Sequence, residues 1–401
     1  MQVTIYPSRA RGTMAAPPSK SYAHRALICA ALSSGKSQIS GVAPSQDLLA
    51  TMDCLRALGA QVEYNGQTAI VTGENIKNVP DHIVLPCRAS GSTLRFLIPL
   101  ALLSGKEFSF TGEDSLMVRP FSVYQNICLE RGLVFCLEKN TLTVQGPLLS
   151  GDFTVPGNIS SQFISGLLFA LPLLAGDSTI RIIPPVESES YIRMTLAVLS
   201  HFGVEAVLDN HTIHVKGGQK YLSRDMTVEG DWSNAAFFLA LNVLDGQVDV
   251  AGLNPESLQG DMVCLRHFAA LKGGMPTIDL SDCPDLGPVA MALAAALHGA
   301  EFTGIRRLRM KESDRCAAMA SELAKFGVRA ESSENTMTIF PSEIKPPTEP
   351  LWGHNDHRIV MALAVLATVT GATIGGAEAV DKSLPDFFAR LKQLGIEVIQ
   401  S

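Results

Sequence analysis

The chain is short of charge and of aromatic rings: Asp, Glu, Lys and Arg make up 18% of its 401 residues, and Phe, Trp and Tyr only 6%. No basic run or tail offsets the formal net charge of −7, which excludes general nucleic-acid binding. Any anionic ligand has to be met by locally collected lysines and arginines. The eight cysteines form no C-x-x-C pair or zinc-type spacing, and no signal-peptide pattern precedes them. Reduced cytoplasmic thiols packed in cores are expected. There is no G-x-G-x-x-G, no H-E-x-x-H and no G-x-S-x-G, which removes support for dinucleotide redox chemistry, zinc hydrolysis and the hydrolase elbow. Ser33-Ser34-Gly35-Lys36-Ser37 carries the end of a phosphate-binding loop, but Ala30 stands where its first glycine belongs. The uncharged run Ile359 to Ala377 is interrupted by Gly371 and Gly375 and reads as a buried helix followed by a strand, so no membrane partner is expected.

What is present is a repeat. At this length, with 46% apolar residues, two globular domains are the default. An apolar helical run ending in glycine recurs at His24–Gly35, Leu94–Gly105, Gln162–Gly176, Asn234–Gly246, Leu286–Gly299 and His357–Gly371. Each terminal glycine suits the left-handed position after a helix. Between these runs lie amphipathic helices, five of which end at Gly59, Gly132, Gly203, Gly327 and Gly395, each before a small or apolar residue. Six units with an apolar helix, a half-apolar helix and several strands suggest two three-unit domains, with a seam near Thr227-Val-Glu-Gly230. The shorter interval from Gly246 to Gly299 marks a trimmed fourth unit, and the Met1–Tyr6 strand stands outside the repeat, free to join either domain.

Polar residues gather where these helices start. Lys20-Ser21 and Arg25 open the first apolar helix, Ser90-Gly91-Ser92-Thr93 the second and Ser160-Ser161-Gln162 the third. Asp231-Trp232-Ser233, Asp285 and Asn355-Asp356-His357-Arg358 open the other three. Amphipathic helices are expected to begin at Arg119-Pro120, Ser188–Tyr191, Lys311–Arg315 and Lys382–Pro385. Ser, Asp and Asn at such places are ordinary caps, each worth about 1 kcal/mol. Capping has no use for Lys20, Arg25, Arg119, Lys311, Arg315, Arg358 and Lys382, because a cation there opposes the helix dipole unless an anion intervenes. Their recurrence implies a cleft that receives multiply charged, phosphorylated ligands. Within Met310–Arg315, Ser313 and Asp314 suit capping, while Lys311, Glu312 and Arg315 suit the chemistry.

Ser19-Lys20-Ser21-x-x-x-Arg25, Ser90-Gly91-Ser92-Thr93-Leu94-Arg95, Arg119-Pro120, Ser160-Ser161-Gln162, Lys311-Glu312-Ser313-Asp314-Arg315, Asn355-Asp356-His357-Arg358 and Lys382-Ser383-x-Pro385 resemble the 5-enolpyruvylshikimate-3-phosphate synthase family. They follow that family's order over nearly the whole chain. The resemblance implies an α/β fold: a two-domain inside-out α/β barrel of six βαβαββ units, three per domain, with the active site in the interdomain cleft. Domains of residues 14–228 and of 1–13 plus 229–401 are expected, the N-terminal strand joining the second. The implied reaction transfers the enolpyruvyl group of phosphoenolpyruvate to the 5-hydroxyl of shikimate 3-phosphate and releases phosphate. It uses no metal and no organic cofactor, in a cytoplasmic monomer whose partners are these small molecules.

Carried over residue by residue, the resemblance implies shikimate-3-phosphate binding by Lys20, Ser21, Arg25, Ser160, Ser161, Gln162, Ser188, Tyr191, Asp285 and Lys311. It implies phosphoenolpyruvate binding by Lys20, Gly91, Arg119, Gln162, Arg315, Arg358 and Lys382. Asp285, Glu312 and Lys20 are the implied catalytic residues, Asp285 acting at the hydroxyl and Glu312 at the methylene carbon; Lys311 and His357 are further candidates for moving protons. Arginine forks suit bidentate grip of carboxylate and phosphate. Arg307, Ala89 and Pro18 depart from the family, which often has asparagine at the first two and glycine at the third. The sister family acting on UDP-N-acetylglucosamine fits less well: it carries Lys-Asn at Lys20-Ser21 and a reactive cysteine near Asp114.

Overall fold

The computed structural model describes residues 1–74 and 79–401. The chain divides into a continuous unit, Pro18–Glu229, and a split unit, Met1–Pro17 with Gly230–Ser401. The first passage falls at 17/18 rather than 13/14 because strand Arg11–Ala15 pairs in parallel with Gln247–Ala251, inside the split unit.

In the continuous unit, Asp152–Pro156 runs parallel to Ser178–Ile183, which pairs antiparallel with Thr212–Val215, itself in a hairpin with Ala206–Asp209. Ile83–Arg88, Glu107–Gly112, Thr141–Gln145 and Val134–Glu138 repeat that order. A parallel pair needs a crossover, supplied here by the apolar helices Ser161–Ala170 and Gly91–Ala101. A third sheet takes Lys36–Ser40, Thr68–Thr72 and Gln61–Tyr64 from one stretch, and Met226–Thr227 from the far end of the unit.

The split unit builds the same order from Thr277–Asp279, Ala300–Thr303, Thr336–Ile339 and Ala330–Ser332. Leu351–Trp352 and Ala372–Gly375 are completed by Gln2–Ile5, which lies between Ala372–Gly375 and Val398–Gln400. The trimmed unit pairs only Arg11–Ala15 with Gln247–Ala251. No sheet closes on itself among the described residues.

Each unit has its own core. Leu27, Phe96, Leu97, Phe163 and Leu168 belong to one, and Phe237, Leu293, Met361 and Leu363 to the other. The apolar helices sit inside: His357–Thr370 is buried at every residue from His357 to Thr368. Among the described residues no helix is long and apolar enough to cross a membrane. Helices Gly91–Ala101 and Ser161–Ala170 pack closely because a Cβ on Gly166 would collide with Tyr124 Oη and the Arg95 carbonyl.

Helix ends correct one expectation. Of the six glycines expected after the apolar runs, Gly35, Gly299 and Gly371 have positive φ, whereas the five named after amphipathic helices all do. Gly327, at φ +80°, follows Arg315–Lys325 and lets Val328 N–H donate to Leu323 O at 3.1 Å. Gly59, Gly132, Gly203 and Gly395 repeat the arrangement. Gly105, Gly176 and Gly246 are not left-handed. The third apolar helix instead tightens into a 3-10 turn, Leu171–Leu173, so its glycine falls beyond the last turn.

Candidate active site

Two clusters of the expected residues form, one on each unit. On the split unit, a 3-10 turn, Pro284–Leu286, runs directly into helix Gly287–Ala296 and presents Asp285. Its Oδ1 lies 2.9 Å from Arg315 Nη1 and 3.5 Å from Lys311 Nζ, and its Oδ2 3.4 Å from Arg358 Nη2. Burial pushes the Asp285 carboxyl up, but Arg358, Lys311 and Arg315 outweigh it and hold the group well below the usual carboxylate range. Asp285 is therefore an ionised acceptor at working pH. Burial pulls the Lys311 ammonium down to about 8; Asp285 opposes this, while Arg307, Arg315 and Arg358 add repulsion. Arg307, one of the family departures, is thus part of the field on Lys311.

Asp314 caps helix Arg315–Lys325, its Oδ1 accepting from Cys316 N–H at 3.1 Å and Ala317 N–H at 3.0 Å. Ser313 does not cap; its Oγ donates to Asp356 Oδ2 at 3.1 Å. The buried Arg315 donates through Nε to Asp356 Oδ2 at 2.8 Å and through Nη2 to Asp356 Oδ1 at 3.3 Å. Asp356, also buried, caps His357–Thr370 by accepting from Arg358 N–H at 2.9 Å. One guanidinium thereby ties two helix starts together. Glu312 Oε2 is 2.9 Å from His357 Nδ1 and 3.7 Å from Arg315 Nη2. Glu312, Asp356 and His357 offer ligand atoms within 4.8 Å of one another. Arg315 already balances both carboxylates, so the set reads as an ion-pair network rather than a metal cage. Lys382 ends a 3-10 turn, Ala377–Lys382, and donates to Asn355 O at 2.7 Å. The following helix starts at Phe387, later than the expected Lys382–Pro385, because the chain first makes that turn.

On the continuous unit, Lys20 begins helix Lys20–Leu32 and pairs with Asp47 Oδ2 at 2.7 Å. Arg25 is buried and turned inward: Nε donates to Thr195 Oγ1 at 2.8 Å, Nη1 to Ser21 O at 2.7 Å, and Nη2 to Tyr191 O at 3.2 Å. It holds Ser21 beside Tyr191, on helix Glu189–His201, which follows the left-handed Ser188 at φ +57°. A Cβ on Gly91 would lie 2.9 Å from Arg119 Nη1, the movable end of a side chain that crosses this helix start. Gln162 is fixed at both ends of its amide, Oε1 accepting from Arg95 Nη1 at 2.7 Å and Nε2 donating to Ser92 Oγ at 2.9 Å. Ser160 is a plain cap, accepting from Gln162 N–H at 3.3 Å, and Ser161 is buried behind it.

Three participants were not singled out as site residues: Asp47, Arg95 and Asp356. Arg95 and Asp356 stood inside the quoted motifs; Asp47 carried no signal beyond an acid in a first helical turn.

The Lys311 environment makes one prediction. An ammonium with a pKa of about 8 loses its charge within the range of ordinary assays. As the neutral amine, the form able to accept a proton, fills in, kcat/KM should rise as pH climbs through about 8. Lys311→Arg, which stays protonated, should abolish that rise and lower turnover. An unchanged rise in the variant would assign the titration to another group.

On each unit, then, helix starts gather arginine, lysine and carboxylates, and the fold that carries them is mixed α/β. The profile of the EPSP synthase (3-phosphoshikimate 1-carboxyvinyltransferase) family matches residues 5–391. A 3-phosphoshikimate 1-carboxyvinyltransferase of Clostridium kluyveri is 41% identical, the match covering 99% of this chain and 98% of that protein. One from Clostridium perfringens strain 13 is 38% identical, with 98% of each covered. Among solved structures, an EPSP synthase from Acinetobacter baumannii superposes with a TM-score of 0.80 at 23% identity over 100% of both chains. The enolpyruvyl transferase NikO from Streptomyces tendae gives 0.78 at 14% identity, over 100% of this chain and 98% of that one. The chain belongs to the EPSP synthase family.

Proposed function

We propose that the chain transfers the enolpyruvyl group of phosphoenolpyruvate to the 5-hydroxyl of shikimate 3-phosphate and releases phosphate, a step of the shikimate pathway toward chorismate and the aromatic amino acids. The observation that carries this reading is Asp285, ringed by Lys311, Arg315 and Arg358, with Glu312 backed by His357. The 5-hydroxyl oxygen adds to the central carbon of phosphoenolpyruvate, losing its proton, while the methylene carbon gains one and becomes methyl. The tetrahedral intermediate then breaks its carbon–oxygen bond to phosphate as the methyl group gives a proton back.

Asp285 is too acidic to keep the hydroxyl proton, so it orients the hydroxyl, and Lys311, drawn toward neutrality, carries the proton away. Glu312 delivers and recovers the proton at carbon. Lys20, Gly91, Arg119, Gln162, Arg315, Arg358 and Lys382 hold phosphoenolpyruvate. Lys20, Ser21, Arg25, Ser160, Ser161, Gln162, Ser188, Tyr191, Asp285 and Lys311 hold shikimate 3-phosphate. The reading includes an inside-out barrel for each unit, and residues of both units serving the same pair of substrates.

Purified protein given shikimate 3-phosphate and phosphoenolpyruvate should release inorganic phosphate, and none when UDP-N-acetylglucosamine replaces the shikimate ester. No release with the first pair, or release with the nucleotide sugar alone, would sink the proposal.

A further inference from the structure

Helix Arg315–Lys325 carries one carboxylate of its own, the buried Glu322, two turns beyond Arg315 and on the same side. Glu322 Oε2 accepts from Trp352 N–H at 2.9 Å and from Lys325 Nζ at 2.8 Å, and Oε1 meets His354 Nε2 at 2.9 Å. An acid kept for stability alone is poorly explained here, since apolar packing often serves as well as a buried ion pair. What a carboxylate does, and an apolar side chain cannot, is hold a backbone N–H and an imidazole at once.

The segment it holds is strained. His354 and Asn355 lie at φ +49° and +52°, a left-handed conformation that costs a non-glycine residue about 1–3 kcal/mol and persists only where the surroundings enforce it. That turn aims the Asn355 carbonyl at Lys382 Nζ, 2.7 Å away. The next residue, Asp356, is gripped by Arg315. A single helix therefore pins the segment at both ends, Glu322 at Trp352–His354 and Arg315 at Asp356. Close packing leaves the segment little room to shift: a Cβ on Gly353 would meet the Gly376 carbonyl at 2.9 Å.

We infer that Glu322, acting through His354, is a positioning residue that sets where Lys382 meets phosphoenolpyruvate. This rests on Lys382 being a phosphoenolpyruvate ligand, as proposed above. His354→Asn tests it with little risk to the fold, because asparagine tolerates positive φ. Glu322→Gln keeps the shape and one acceptor.

Steady-state kinetics on both variants, alone and combined with Lys382→Ala, should show the KM for phosphoenolpyruvate raised about tenfold, within the range that members of one hydrogen-bonded network exchange. The KM for shikimate 3-phosphate should stay unchanged, and the same substitutions should add little once Lys382 is alanine. The inference is overturned if folded variants keep the wild-type KM for phosphoenolpyruvate, if both KM values rise alike, or if the tenfold effect persists on top of Lys382→Ala. Should Glu322→Gln not fold, His354→Asn decides alone. A wild-type protein that releases no phosphate overturns the functional reading and this inference with it; an active wild type with unaffected variants overturns this inference alone.

Discussion

Glu312→Gln should lower turnover by roughly 10²–10⁴-fold, the usual cost of losing a general acid–base group, while both substrates still bind. Glutamine keeps the size and one acceptor of the carboxylate beside His357 Nδ1 but can no longer pass a proton to carbon. Binding should survive because Arg315, Arg358 and Lys311 keep Asp285 as their anion. The fold should survive because Arg315 keeps Asp356. Turnover numbers from phosphate release, set beside dissociation constants from calorimetry, separate the two effects. If the variant turns over nearly as fast as the wild type, Glu312 is structural and the proton at carbon moves through another group.

Arg315→Leu should destabilise the split unit by roughly 3–5 kcal/mol, as expected when a buried pair loses one member and leaves the other's charge behind. Arg315 is 2% exposed and bonds Asp356, which is fully buried, as well as Asp285. The loss should depend on pH with a definite sign. Asp285 titrates below its unfolded value in the native protein, so its contribution is complete above about pH 4 and fades as pH falls through the lower native value. In the variant that contribution shrinks, because one of the three cations facing Asp285 is gone. The gap between the two proteins should then be widest near neutrality and close in acid. Both tryptophans, Trp232 and Trp352, belong to the split unit, so their fluorescence in urea follows it selectively. A loss below about 1 kcal/mol at neutral pH, within the ordinary run of point mutations, would show that the fork contributes little.

Much of this was legible in the residues, for a reason that also marks the limit. Apolar helical runs at a long, nearly regular spacing announce buried helices, and cations at helix starts announce anions, because both signals are local in sequence. Partnerships across the fold are not. Asp47 meets Lys20 only because the two helices of the first unit pack together, and Arg95 steers Gln162 only because the second and third units stack their helices. The same cause misplaced Ser313: its neighbours suited a cap, yet its hydroxyl is drawn to Asp356 on another helix. The glycines followed a local rule as well, and it held at Gly327 and also at Gly299 and Gly371, but not at Gly176, where the helix tightens into a 3-10 turn after Ala170.

The N-terminal strand Gln2–Ile5 lies inside its sheet, flanked on both sides by strands from the last part of the chain. On a ribosome this imposes an order. The continuous unit can be complete while the remainder is still being made, whereas Gln2–Ile5 is made long before its partners, which begin at Ala372. At about 5–20 residues per second the wait is on the order of tens of seconds. Through it a short segment destined for the inside of a sheet has no partner on either side. Gln2–Ile5 therefore needs sequence that resists pairing elsewhere, a demand that the finished protein, where that strand is sheltered, no longer displays.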